Sequence, residues 1–302
     1  MHSKTVKNNS IEIATQSFGK LADPMVILIM GATAQGVMWN ESFCESLAQN
    51  GFLVIRYDHR DTGKSSRVDY DTAPYLLDDL SEDVLAIIKA YGKDKTHLLG
   101  ASMGSFVAQN VAIKHNEVVA TLCCVMSSPK HTVFVDGFAK LDTSHHALPP
   151  SHPKILEFYE EILSLSSSSV DEDLAMHRQI WQKLSGSDHN IDTRVFEGKI
   201  LKRLKNSTYI HNHSYALANS PSLEKELYKI KVPTLVIHGD DDHILPVEHG
   251  RQLAKEIPQA KYIEYLGLGH FFTPAFYQQL LRDWLIFVSG ATPKPTRQSL
   301  QD

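Results

Sequence analysis

Gly100-Ala101-Ser102-Met103-Gly104 is the stretch whose reading decides the fold. Lys95-Thr96-His97-Leu98-Leu99 precedes it, a short run of the kind that makes a buried strand. Ser105-Phe106-Val107-Ala108-Gln109-Asn110-Val111-Ala112-Ile113 follows, with apolar residues at helical spacing. A serine between two glycines at a strand-to-helix junction has a mechanical meaning. The turn is so sharp that its flanking positions must be nearly free of side chain, and it lifts the hydroxyl above the sheet at a helix N-terminus. There the helix end and the next backbone N–H favour negative charge growing on a neighbouring oxygen.

Working outward, apolar strands alternate with helical patterns on both sides. Ile11–Ser17 alternates apolar and polar residues, as a half-exposed strand near the sheet edge does. Met25–Met30 and Phe52–Tyr57 are apolar enough to be buried on both faces. Helices are predicted over Val37–Asn50 and Tyr75–Tyr91, and a further strand over Val118–Met126. The alternation resumes with Pro233–His238, a helix over Val247–Ile257, a strand over Ala260–Tyr265 and a helix over Thr273–Val288. This predicts an α/β fold, a mostly parallel central sheet with helices on both faces. Between the two runs lie predicted helices at Lys154–Leu165, Asp171–Leu184, Thr193–Leu204 and Thr208–Ala218, with no convincing strand. The expected organisation is a core of residues 1–128 and 229–290, a helical cap over 129–228, and a loose tail over 291–302.

Composition narrows the function. The chain has 302 residues, 42% hydrophobic and 22% charged, with a formal net charge of −5. That is the composition of a soluble globular chain, and the absence of a basic patch argues against nucleic acid as a partner. The four basic residues between Lys199 and Lys205 read as a solvated helix face. No apolar run approaches the ~18 residues of a membrane span, and Met1–Asn9 lacks the apolar core of a signal peptide. Cys44, Cys123 and Cys124 are odd in number and set in apolar surroundings, so buried thiols in the cytoplasm are expected rather than disulfides.

A serine hydroxyl is a poor nucleophile unless a base removes its proton, and that base needs an orienting acid. His238-Gly239-Asp240-Asp241-Asp242 follows an apolar strand and supplies the acid. Leu266-Gly267-Leu268-Gly269-His270 supplies a histidine in a glycine-rich loop between the last strand and the last helix. Ser102, Asp242 and His270 would then meet at the carboxyl edge of the sheet, where open α/β sheets bind ligands. The second oxyanion donor should come from the loop after an early buried strand. Gly31-Ala32 stands there, so the amides of Ala32 and Met103 are the expected pair.

These motifs resemble the α/β-hydrolase superfamily from about residue 10 to residue 290. Gly100–Gly104 matches its nucleophile elbow and Gly269-His270 its histidine loop. Gly239-Asp240-Asp241-Asp242-His243-Ile244-Leu245-Pro246 matches its Gly-x-x-Asp-x-x-x-Pro acid loop, which selects Asp242 among the three aspartates. Within the superfamily, Ile55–Ser65 and the Met30-Gly31 entry look most like the aclacinomycin methylesterase group. Many relatives read His-Gly where this chain has Met30-Gly31, a change a backbone donor survives. The resemblance implies a serine hydrolase of a carboxylic ester, acting through an acyl-enzyme with Ser102 as nucleophile, His270 as base and Asp242 as orienting acid.

The expected substrate is a small apolar ester, and Trp39, Trp181, Tyr215 and Phe271 are the candidate pocket residues. No cofactor and no metal are expected. His145, His146, His152, His211 and His213 lack the accompanying acids and thiols of a known metal site and read as solvated cap histidines. Asp58–Ser65 reads as a structural loop whose charged side chains satisfy backbone groups and each other. The rival readings are a proline-type aminopeptidase, which would draw on the cap acids Glu157, Glu160, Glu161, Asp171, Glu172 and Asp173, another acyl hydrolase or acyltransferase, and a non-catalytic ligand-binding protein.

Overall fold

The computed structural model describes residues 1–164, 169–187, 211–290 and 297–299. Its strands are β1 (His2–Asn8), β2 (Ile11–Phe18), β3 (Met25–Ile29), β4 (Leu53–Tyr57), β5 (Thr96–Ala101), β6 (Val119–Val125), β7 (Thr234–Gly239), β8 (Lys261–Leu266) and β9 (Arg297–Ser299). They form one sheet in the order β1-β2-β4-β3-β5-β6-β7-β8-β9. β1, β2 and β4 pair antiparallel in turn, and every later pairing is parallel. β3 and β4, buried at every position, lie inside the sheet, where helices cover both faces.

The helices are α1 (Glu41–Gln49), α2 (Leu77–Ala90), α3 (Met103–Lys114), α4 (Thr132–Phe138), α5 (Pro153–Ser164), α6 (Val170–Leu184), α7 (His211–Asn219), α8 (Glu248–Glu256) and α9 (Pro274–Val288). One apolar cluster packs α2, α3 and α8 on one face of the sheet, with Val84, Val107 and Leu253 among its members. The other packs α1 and α9 on the opposite face through Leu47, Phe276 and Trp284. Local chemistry sets the helix starts. Asn40 Oδ1 accepts the Phe43 amide at 2.7 Å and begins α1. Thr273 Oγ1 accepts the Phe276 amide at 3.2 Å, with Pro274 in the first turn of α9.

Four differences from the sequence expectation have physical causes. β1 was not foreseen because its residues are mostly polar and exposed; it is an edge strand whose stability comes from pairing with β2. The helix expected over Val37–Asn50 breaks into a 3₁₀ turn at Gly36–Met38 and α1, since Asn40 sits extended as the cap of α1. α4 is too short for periodicity to reveal. The tail expected to be loose contributes Arg297–Ser299, which pairs with β8. The helix expected over Thr193–Leu204, and the basic residues within it, lie outside the described residues. Helices α4 to α7 fall between β6 and β7, two neighbours in the sheet, so this segment leaves and re-enters at adjacent strands. Cys44, Cys123 and Cys124 are free and buried, and burial pushes the Cys44 and Cys124 thiols up to about 12. No helix among the described residues is long and apolar enough to cross a membrane.

The sheet order places the chemistry. From β3 the chain moves to β4 on one side, and β5 then inserts on the other, with Ile29 opposite Gly100. The loops after β3 and β5 therefore leave the carboxyl edge side by side at a topological switch point.

Burial of histidines predicts how stability responds to acid. Desolvation holds His59 down to about 3, and His97 and His249 down to about 4. Below the ordinary value of 6.5 the unfolded chain binds protons that these three folded histidines refuse, so stability falls as pH drops from 6.5 toward 4. Each such proton steepens the dependence by about 1.4 kcal/mol per pH unit. Urea midpoints measured from pH 7.5 to 4.5 should decline steadily below 6.5, and a flat profile would contradict the burial.

Candidate active site

Ser102 sits between β5 and α3 with φ 53° and ψ −122°, a left-handed backbone that a sharp turn imposes on a non-glycine residue. Its amide donates to Val125 O at 2.9 Å, tying the elbow to the end of β6. Gly100 is required there because a Cβ would stand 2.3 Å from Gly104 O. Nothing larger fits without opening the turn.

Three side chains distant in sequence meet at this edge. Ser102 Oγ lies 3.0 Å from His270 Nε2, and His270 Nδ1 lies 2.7 Å from Asp242 Oδ2. The other carboxylate oxygen, Oδ1, accepts the amides of Ile244 and Leu245, both at 2.9 Å. The acid is thereby fixed by its own loop. His238, on β7, donates from Nε2 to Leu245 O at 2.7 Å and stands 3.4 Å from Asp242 Oδ2. Burial pushes the Asp242 carboxyl up, but His270 and His238 outweigh it and hold the group well below the usual carboxylate range. An ionised carboxylate facing Nδ1 stabilises the Nδ1–H tautomer and leaves Nε2 free to take a proton from the hydroxyl.

The loop after β3 stands beside the serine. A Cβ on Gly31 would lie 3.2 Å from Ser102 Cβ and 3.7 Å from Ser102 Oγ. Among the described residues, the amides of Ala32 and Met103 donate to no protein atom, and such free N–H groups are what an oxyanion site needs.

The four candidate pocket residues separate. Trp181, on α6, stacks on Phe271 with ring centroids 5.9 Å apart, next to His270. Trp39 has no exposed surface and packs against Phe43 and Phe272 as core. Tyr215 is 53% exposed and leans on Tyr70. Of the four, Phe271 follows His270 directly in the chain and Trp181 lies against it.

The segment between β6 and β7 touches each loop of the site. Gly269 donates to Ser185 O at 3.1 Å, just before His270. His152 donates from its backbone to His243 O at 2.9 Å, and Ser151 Oγ donates to Ile244 O at 2.6 Å, beside Asp242. Thr33 donates from its backbone to His213 Nδ1 at 2.8 Å. This last contact corrects the sequence reading of His213 as solvated, because the ring is buried and makes two backbone contacts. A pattern of single residues carries no signal for such a role.

His146 also departs from a solvated state: its side chain is buried, and Nε2 lies 2.7 Å from Asp136 Oδ2. Asp136 belongs to α4, the helix that periodicity did not reveal. His145 is 60% exposed, 4.0 Å from the same oxygen. Asp58–Ser65 satisfies its own backbone as expected. Asp58 accepts the amides of Gly36 and Lys64, and Arg60 forms a buried fork with Asp83 at 2.7 and 2.8 Å.

Comparison with known proteins agrees with this architecture. The family model described as Serine aminopeptidase, S33 matches residues 22–273. Rhodomycin D methylesterase DauP of a Streptomyces species is 29% identical over 287 residues, 93% of this chain and 96% of that one. Proline iminopeptidase PfmaB of Pestalotiopsis fici is 26% identical over 259 residues, 85% of this chain and 88% of that one. An esterase structure from Exiguobacterium antarcticum superposes with a TM-score of 0.76 at 17% identity, over 95% of this chain and 100% of that one.

Proposed function

The chain belongs to the serine aminopeptidase family of α/β-hydrolases, and from that premise we propose that it hydrolyses the carboxylic ester of an apolar small molecule through a covalent acyl-enzyme. The observation that carries the proposal is the unbroken hydrogen-bonded chain from Ser102 Oγ through His270 to Asp242.

In the first half-reaction Ser102 Oγ bonds to the ester carbonyl carbon as its proton passes to His270 Nε2. The carbonyl π pair moves onto oxygen, and the amides of Ala32 and Met103 receive that charge. The pair returns, the C–O bond to the alcohol breaks, and His270 gives its proton to the leaving oxygen. Water then adds to the acyl carbon with His270 as base, and Ser102 departs with the proton restored. Asp242 holds the imidazole in the required tautomer and stabilises its charged form throughout. Trp181 and Phe271 border the acyl position and favour apolar groups.

An ester is favoured over the N-terminus of a peptide on two grounds. The relatives at 29% and 28% identity are named as methylesterases, so methyl esters are the first substrates to try. Of the cap acids that could hold an amine, Glu157, Glu161, Asp171 and Glu172 are exposed. Labelling with a fluorophosphonate probe tests the nucleophile: the wild type should label and Ser102→Ala should not. Equal labelling of the two would end the proposal. A panel of methyl esters, nitrophenyl esters and proline anilides then ranks the substrate classes.

A further inference from the structure

The loop after β3 is gripped from two sides by buried histidines. His59, on the loop after β4, donates from Nε2 to Met30 O at 2.9 Å. His213, on α7, accepts the Thr33 amide at Nδ1, 2.8 Å away, and donates from Nε2 to Arg60 O at 2.9 Å. Both rings are fully buried and stand edge to face, with centroids 5.7 Å apart. Gly31 and Ala32 lie between the two grips.

Thr33 has φ 65°. A β-branched residue rarely enters the left-handed region, and such strain persists only where the surroundings over-determine it. The partner of the Thr33 amide is a side chain from the segment between β6 and β7, not from the sheet that carries the loop. Asn212 beside it donates to Asp61 Oδ2 at 3.0 Å and to Val68 O at 2.9 Å, which fixes the start of α7 on the same group of loops.

We propose that His213 is a positioning residue: its Nδ1 holds the Thr33 amide, and this sets the Ala32 N–H at the angle the oxyanion requires. The inference rests on the reading of Ala32 as an oxyanion donor given above. It makes the inserted helices part of the catalytic scaffold rather than only a cover over the substrate. A backbone N–H must donate, so Nδ1 must carry a lone pair and the proton must sit on Nε2, where Arg60 O accepts it. Burial keeps the ring neutral by lowering its affinity for a second proton, which the Thr33 contact needs.

Isosteric substitution separates the two ring contacts. His213→Gln can keep a donor toward Arg60 O but loses the acceptor for Thr33, whereas His213→Asn can keep that acceptor. With 4-nitrophenyl acetate, His213→Gln should lower kcat about 10- to 100-fold with KM nearly unchanged. Its affinity for an aryl trifluoromethyl ketone, whose Ser102 adduct places an oxyanion in the same site, should fall by the same factor. His213→Asn should recover most of both. Ser220→Ala removes the acceptor of the Leu77 amide, 2.8 Å away just past the other end of α7, and should lower Tm while leaving kcat and ketone affinity within about twofold of wild type.

If His213→Gln behaves like Ser220→Ala, with Tm lowered and both other readouts kept, the role is merely structural and the proposal is overturned. In wild-type protein labelled with ¹⁵N-histidine, His213 should appear as the neutral Nε2–H tautomer, and a protonated or Nδ1–H ring would overturn it equally. A wild-type protein that neither cleaves the ester nor binds the ketone would remove the ester-hydrolase reading itself, and this proposal with it.

Discussion

Asp242→Asn is expected to lower kcat by about 10⁴-fold, because it changes which histidine nitrogen carries the proton. Asp242 Oδ1 accepts the Ile244 and Leu245 amides. An asparagine must keep its carbonyl oxygen there, since turning the amide round would point its NH₂ at two backbone donors and leave all of them unpaired. The NH₂ then takes the place of Oδ2, 2.7 Å from His270 Nδ1, and donates to it. His270 is forced into the Nε2–H tautomer, and the nitrogen facing Ser102 Oγ no longer has a lone pair to accept its proton.

The same substitution should also destabilise the fold. Asp242 is held below its ordinary pKa, so its ionised form contributes stability above pH 3.8 that fades as the pH falls through the lower folded value. Asparagine loses that contribution, together with the attraction of His238. Steady-state ester hydrolysis and a thermal melt at pH 7.5 check both effects. A variant within tenfold of wild-type kcat would show that the acid does not set the tautomer.

Legibility in the sequence followed the range of the interaction. That Ser102, Asp242 and His270 meet could be read because each sits in a short loop whose composition is dictated by its own turn. Gly100 has no room for a Cβ beside Gly104 O, and Gly239 none beside Leu268 O, so the glycines advertise the loops. β3 and β4 were legible for a related reason, burial on both faces making their runs almost wholly apolar, with Arg56 the one exception.

His213 was not legible, since its meaning depends on Thr33, 180 residues away, and on a helix whose docking no local pattern records. The same holds for Trp39 and Tyr215. Aromatic character identifies a residue that can bury area, but core, surface and pocket differ only in what faces it. β1 escaped notice because an edge strand takes its stability from its neighbour rather than from its own hydrophobicity.

Gly104→Ala should be among the most damaging single-methyl additions available to this protein. A Cβ there would stand 2.3 Å from Ile29 O and 2.5 Å from Met30 O, against an ordinary contact of 3.4 Å or more. Both opposing atoms are backbone carbonyls at the end of β3, and Met30 O already holds the His59 ring. Relief requires α3 to withdraw from the sheet by roughly 1 Å, carrying Ser102 with it. The expected loss of stability exceeds about 4 kcal/mol, and any folded fraction should turn over about 10²-fold more slowly because the hydroxyl and the loop of Ala32 part company. Gly51→Ala is the control. Gly51 has φ +87° but no atom within 4 Å of the added methyl, so only backbone strain applies, at about 1 kcal/mol, with kcat unchanged. Urea denaturation of both variants separates a steric cause from a conformational one. If Gly104→Ala were as stable as Gly51→Ala and as active as wild type, the close approach of α3 to the loop after β3 could not be what fixes Ser102.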